Sequence, residues 1–221
     1  MLKKLLLIFV ITALFISCNT GQKMPENFDY GTMENGIYTN DYFKFRFSYD
    51  ESWNLQSQEQ MAETAQLGAD MITNETTRNA VKATDVNTAN LFSAFRHDLD
   101  AETVEYNYSI VVIAENINMF PEVKRGKDYL NEAKKLMSQT VIDYDFPDAY
   151  ETMDVGGKSF DVMKVTGHYM GASFNQEYWT TIINGFSFSL ILSYDTNTQR
   201  QELQNLIDGM DFNTATSKKA A

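Results

Sequence analysis

The chain has 221 residues, with 18 Lys and Arg against 30 Asp and Glu, a net charge of −12. A field of that sign repels phosphate backbones and anionic head groups, which argues against nucleic acid as a partner and against electrostatic docking on a membrane. The single cysteine, Cys18, leaves the rest of the chain without a disulfide, a thiolate metal site or a thiol nucleophile.

Residues 1–18 read as an export signal with a lipobox. Lys3 and Lys4 form a positive start, an apolar run covers 5–16, and Ser17 and Cys18 follow. About twelve apolar residues are too few to span a hydrocarbon core, which takes roughly twenty, so the run is a signal h-region and not a membrane helix. The ending LFISC resembles the lipobox of bacterial lipoproteins, with Cys18 as the residue that takes the lipid. The expectation is a protein of the bacterial envelope, periplasmic or surface-facing, whose membrane partner is reached through a lipid anchor. Removing Lys3 and Lys4 leaves 16 basic against 30 acidic residues, a net of −14.

Residues 19–36 are polar, with Gly21, Pro25, Gly31 and Gly36, and read as a flexible tether. The folded domain is expected over 37–212. Phe43, Phe45 and Phe47 alternate with Lys44, Arg46 and Ser48, the period of a half-buried strand. Asp50, Glu51 and Ser52 form a turn, and Trp53 and Leu55 return to the core. Ser57 with Gln60 is a capping-box pair opening a helix whose Met61, Ala62, Ala65 and Ala69 share a face. The segment 70–90 is rich in Thr, Asn and Ala and reads as a long exposed loop or as an irregular insertion holding a helical turn.

A strand at 91–96 precedes an unbroken apolar strand over 108–114, where Ile110 to Ile113 predict cover on both faces. The spacing of Tyr129, Leu130, Ala133, Leu136 and Met137 predicts a helix over 126–140. After a short strand near 144–146, Gly156-Gly157 and Asn184-Gly185 punctuate a meander. Both dipeptides suit two-residue hairpin loops because they tolerate positive φ. Thr198 with Gln201 is read as the cap of a last helix bearing Leu203, Leu206, Ile207 and Met210, and 213–221 should fray. The fold class is α+β: an antiparallel sheet of about six strands with helices packed on it.

Tyr38-Thr39-Asn40, the strand 43–47 and Trp53 resemble the first motif of the PsbP-like superfamily. Tyr178-Trp179, Asn184-Gly185 and the ending Met210-Asp211-Phe212 are similar to its close. The resemblance implies an α-β-α sandwich used for binding and assembly, generally without catalysis.

No residue set stands out as a catalytic centre, and no cofactor is expected. His97, Asp98 and Asp100 are the candidate metal ligands, but they lack the fixed spacing of a calcium loop and read equally as a solvated acidic turn. His168 follows Gly167 near a strand end and reads as a rim residue. There is no Gly-x-Ser-x-Gly elbow, and Gly171-Ala172-Ser173 reads as a turn. Tyr106, Tyr108, Tyr144, Tyr150, Tyr169 and Tyr178 either line a ligand groove or sit at the sheet rim with wet hydroxyls. The leading expectation is a non-catalytic envelope lipoprotein that binds a protein partner. The alternatives are a small-ligand or divalent-metal binder and an unrecognised hydrolase.

Overall fold

Alternating aromatics build the first layer. A computed structural model describes residues 24–84, 87–101 and 105–212. In it β1 (Thr32–Glu34), β2 (Ile37–Asn40) and β3 (Phe45–Ser48) form a three-stranded antiparallel sheet. Phe45 and Phe47 are buried while Arg46 and Ser48 face water, as the period of two requires.

The residues before β2 depart from the expected tether. Phe28 is buried against Tyr42, Phe43 and Phe186, with ring centroids 4.9, 5.9 and 5.5 Å away. Tyr38 donates its hydroxyl to the Tyr30 carbonyl at 2.9 Å, and the Asp29 carboxylate accepts from the amides of Gly31 and Asp41. One ring and one bridging carboxylate thus fix a polar segment that has no periodicity to betray it. The fold starts by Met24, and residues 1–23, including Cys18, lie outside the described residues.

The second sheet is larger than the six strands expected. Its order is β4 (Asn54–Leu55), β5 (Thr88–Phe95), β6 (Ser109–Asn116), β11 (Phe186–Tyr194), β10 (Ala172–Ile183), β9 (Lys158–Tyr169) and β7 (Asp143–Asp145), with β8 (Glu151–Val155) also paired to β9. Every pairing is antiparallel. Edge pieces of two to five residues, β4, β7 and β8, bring the sheet to eight, and β7 is the short strand expected near 144–146.

All eight residues of β6 are buried. Ile110, Val112 and Ala114 join the core on one side, and Val111 and Ile113 the core on the other. The first core lies between the two sheets and takes in Leu203 and Ile207 of helix α4 (Asn197–Asp208) and Met210 just beyond it. The second lies under α3 (Gly126–Met137), whose Tyr129, Leu130, Ala133, Leu136 and Met137 are the expected buried stripe. Ile72 and Val81, from the corner of α1 (Gln58–Asp70) and α2 (Glu75–Thr84), join this side.

Helix α2 is a full ten residues where an exposed loop or an irregular insertion with a helical turn was expected over 70–90. Asn74 accepts from the Thr77 amide at 2.9 Å, a side-chain cap that offsets the weak helix preference of the Thr and Asn residues behind it. The box at Ser57 and Gln60 forms as expected. The last helix is capped two residues earlier than expected, by Thr196 with Gln199. Both pairs have the same spacing, and where β11 ends decides between them. Both glycine hairpins form, with φ of 53° and 81° at Gly156 and Gly157 and the same pair of values at Asn184 and Gly185.

Candidate functional site

A concave feature among the described residues is a groove between α3 and residues 146–150. It arises because the edge strand beside β9 is interrupted. Asp145 stands opposite Thr166 and Glu151 opposite Val162, so five residues on this edge face three on β9. Pro147 has no N–H to offer a ladder, and the surplus backbone leaves the sheet. It runs alongside α3, which is drawn close to the sheet at Gly126. A Cβ there would stand 2.0 Å from the Thr180 carbonyl oxygen.

Lys127, Asn131 and Lys134 form one wall, and Pro147, Asp148, Ala149 and Tyr150 the other, around a volume of about 270 Å³. The Tyr150 hydroxyl donates to Asn131 Oδ1 at 3.0 Å across the floor. Lys134 Nζ sits 4.9 Å from the centroid of Phe146, a cation–π contact that steadies the ammonium without consuming its hydrogens. Lys127 and Lys134 are half-buried, and neither ammonium has an ion pair among the described residues. The more exposed Arg125, which precedes that helix, and Lys135 within it do have partners, Asp128 and Glu132. Carboxylates near the groove are Asp148 on its wall and Asp161, which accepts from the Lys127 amide and from Thr152.

The other polar clusters are committed to holding the fold. Glu177 on β10 is fully buried and accepts from Trp179 Nε1 at 3.0 Å, the Tyr194 hydroxyl at 2.8 Å and Arg200 Nε at 2.6 Å. This knot ties α4 to the sheet. The bonded carboxylate raises the Arg200 guanidinium above its usual value, and burial, reinforced by Glu177, pushes the Tyr194 hydroxyl well up.

On the opposite face, Tyr144 and Tyr178 donate to Gln176 Oε1, and Tyr106 bonds Ser193. All three are pushed far above the ordinary tyrosine range, chiefly by burial. Their hydroxyls are therefore not wet, contrary to the rim reading. Of the six tyrosines singled out in the sequence, Tyr150 lines the groove.

His97, Asp98 and Asp100 brace the link after β5. Asp98 accepts from the Asp100 amide and from Asn54 Nδ2, and Asn107 holds both backbone groups of His97. Among the described residues no three His, Cys, Asp or Glu side chains are grouped to hold a metal.

His168 lies at the exposed sheet rim as expected, with two partners that sequence reasoning did not foresee. Its Nδ1 meets Ser173 Oγ at 2.8 Å and its Nε2 meets Asp145 Oδ2 at 2.9 Å. These residues share the end of three neighbouring strands, and the direct cross-strand pairing of His168 with Ser173 produces the first contact. The trio lies at the open surface, with the Asp145 side chain 81% exposed and His168 43% exposed. Water competes for each of these bonds, so the geometry does not make the serine a shielded nucleophile.

No protein-family model matches the chain, and no curated protein matches it in sequence. Solved structures do. The solution structure of cyanobacterial PsbP (CyanoP) from Synechocystis sp. PCC 6803 is 11% identical, covering 79% of this chain and 89% of that one, with a TM-score of 0.47. LpqN of Mycobacterium tuberculosis, described as involved in cell envelope biogenesis, is 12% identical over 76% of this chain and 82% of its own, with a TM-score of 0.40. A Bacteroides thetaiotaomicron structure is 13% identical, covering 81% of this chain but 48% of that one, with a TM-score of 0.42. A PsbP protein is thus among the structures this chain is similar to. No helix among the described residues is long and apolar enough to cross a membrane.

Proposed function

We propose that the chain is a lipid-anchored protein of the bacterial envelope whose domain acts by binding a protein partner in the groove between α3 and residues 146–150. The observation behind this reading is the pair of half-buried ammonium groups of Lys127 and Lys134, neither in an ion pair among the described residues, in a protein of net charge −12. A half-desolvated cation gains from an incoming anion more than an exposed one does. At about 270 Å³ and open along one side, the groove is smaller than the pockets of roughly 300–1,000 Å³ that enclose small molecules, which favours a segment of a larger partner. The anchor rests on the signal-like residues 1–18 and Cys18. Because packing begins by Met24, only five residues separate the domain from Cys18, a reach of at most ~22 Å. The partner must then lie close to the same membrane.

Two experiments test this. A photo-crosslinking residue at Asn131, in the native envelope, should give an adduct of defined mass, and one at Gln201 on α4 should not. Identical patterns, or none at Asn131, would overturn the binding site. Labelled fatty acid should appear in the wild-type protein and not in Cys18→Ala; equal label would remove the anchor.

A further inference from the structure

From the spacing of the two lysines we infer that the groove takes an acidic peptide segment in an extended, polyproline-like conformation, with two carboxylates three residues apart. This rests on the binding reading above and names its ligand. Lys127 and Lys134 are seven residues apart on α3, so they lie on nearly the same face, separated along the axis by roughly 10 Å at about 1.5 Å per residue. Asn131 and the Tyr150 hydroxyl stand between them.

A single phosphate or carboxylate meets one ammonium comfortably and leaves the other unanswered. A β-strand ligand fits poorly, because its same-face carboxylates recur about 7 Å apart and those three apart point to opposite sides. A polyproline II segment has three residues per turn and rises about 3.1 Å per residue. Carboxylates three apart therefore share a face at roughly 9 Å, within the reach of two flexible lysines. Asn131 and Tyr150 are left to meet the backbone of such a segment, which is unpaired in that conformation. Asp148 on the facing wall repels a carboxylate placed on that side, which biases the acidic groups toward α3.

The test uses the chain with Cys18→Ser to avoid lipid, a synthetic peptide of repeated Glu-Pro-Pro-Glu, a flexible Glu-Gly-Gly-Glu control and inorganic phosphate. Calorimetry measures affinity, and amide NMR shifts on the unaltered groove locate the contact. Lys127→Gln with Lys134→Gln should weaken the proline peptide by about tenfold or more. Lys124→Gln, just before α3, with Lys135→Gln within it removes the same charge from the same neighbourhood and should change it less than about twofold. The core face of α3 is untouched in both pairs, and an unchanged melting midpoint verifies the fold.

Equal weakening by the two pairs would mean long-range charge alone and would overturn the inference. So would phosphate binding as tightly as the peptide, binding of the flexible control as tight as the proline one, or NMR shifts away from α3 and residues 146–150. If the peptide fails while Asn131 still crosslinks in the envelope, the ligand class falls and the binding site stands.

Discussion

Replacing Arg200 by Met should destabilise the domain by about 3 kcal/mol. Glu177 is fully buried and has three donors: Trp179 Nε1, the Tyr194 hydroxyl and the Arg200 guanidinium, the last through Nε at 2.6 Å and Nη2 at 3.4 Å. Removing one partner of a buried pair typically costs 3–5 kcal/mol, because the remaining charge is left uncompensated. The low end applies here. Two neutral donors remain, and the Arg200 side chain is 29% exposed, so water can reach part of the vacated space. For a domain of this size that corresponds to a fall in melting midpoint of roughly 6–12 °C.

Urea denaturation of four proteins gives the coupling: wild type, Arg200→Met, Glu177→Gln and the double variant. The double variant should cost clearly less than the sum of the singles, since removing both charges leaves none stranded. An Arg200→Met deficit below about 1 kcal/mol, or strict additivity, would refute the view that this ion pair ties α4 to β10.

The Tyr108 hydroxyl donates to Glu202 at 2.5 Å, and burial first, then that carboxylate, pushes it up to about 12. The folded state therefore holds this proton more tightly than the unfolded one. Its contribution is fully present below pH 10 and is lost as the pH rises toward 12, a slope in the urea midpoint that Tyr108→Phe should reduce. Gly126→Ala would place a Cβ 2.0 Å from the Thr180 carbonyl, lifting the start of α3 at a cost of about 1–3 kcal/mol; an unchanged midpoint would disprove that close approach. Thr196→Ala should cost about 1 kcal/mol by thermal melting and Thr198→Ala close to nothing, because the Thr196 hydroxyl accepts from the Gln199 amide. The reverse order would return the cap to Thr198.

What the sequence settled by itself was whatever residues a few places apart decide. The capping box at Ser57, the apolar stripe of α3, the doubly covered β6 and the hairpins at Gly156-Gly157 and Asn184-Gly185 all depend on local periodicity or on backbone freedom at one dipeptide. The antiparallel α+β class follows from their order. Tertiary structure decided the rest. Residues 24–36 are held by Phe28 and Asp29, whose partners lie up to 158 positions away at Phe186. Helix α2 is held from outside itself, by the Thr77 hydroxyl donating to Gln139 and by Val81 packing on the core under α3. Glu177 reads as one acidic residue among thirty until α4 brings Arg200 against it. The groove was the least legible feature. Lys127 and Lys134 look like the solvated face of an amphipathic helix, and only the surplus chain at 146–150, expelled from a sheet edge with no local signal beyond Pro147, turns that face into the wall of a site. Such features are invisible in sequence because their energy comes from contacts between segments, and no short-range pattern records which segments will meet.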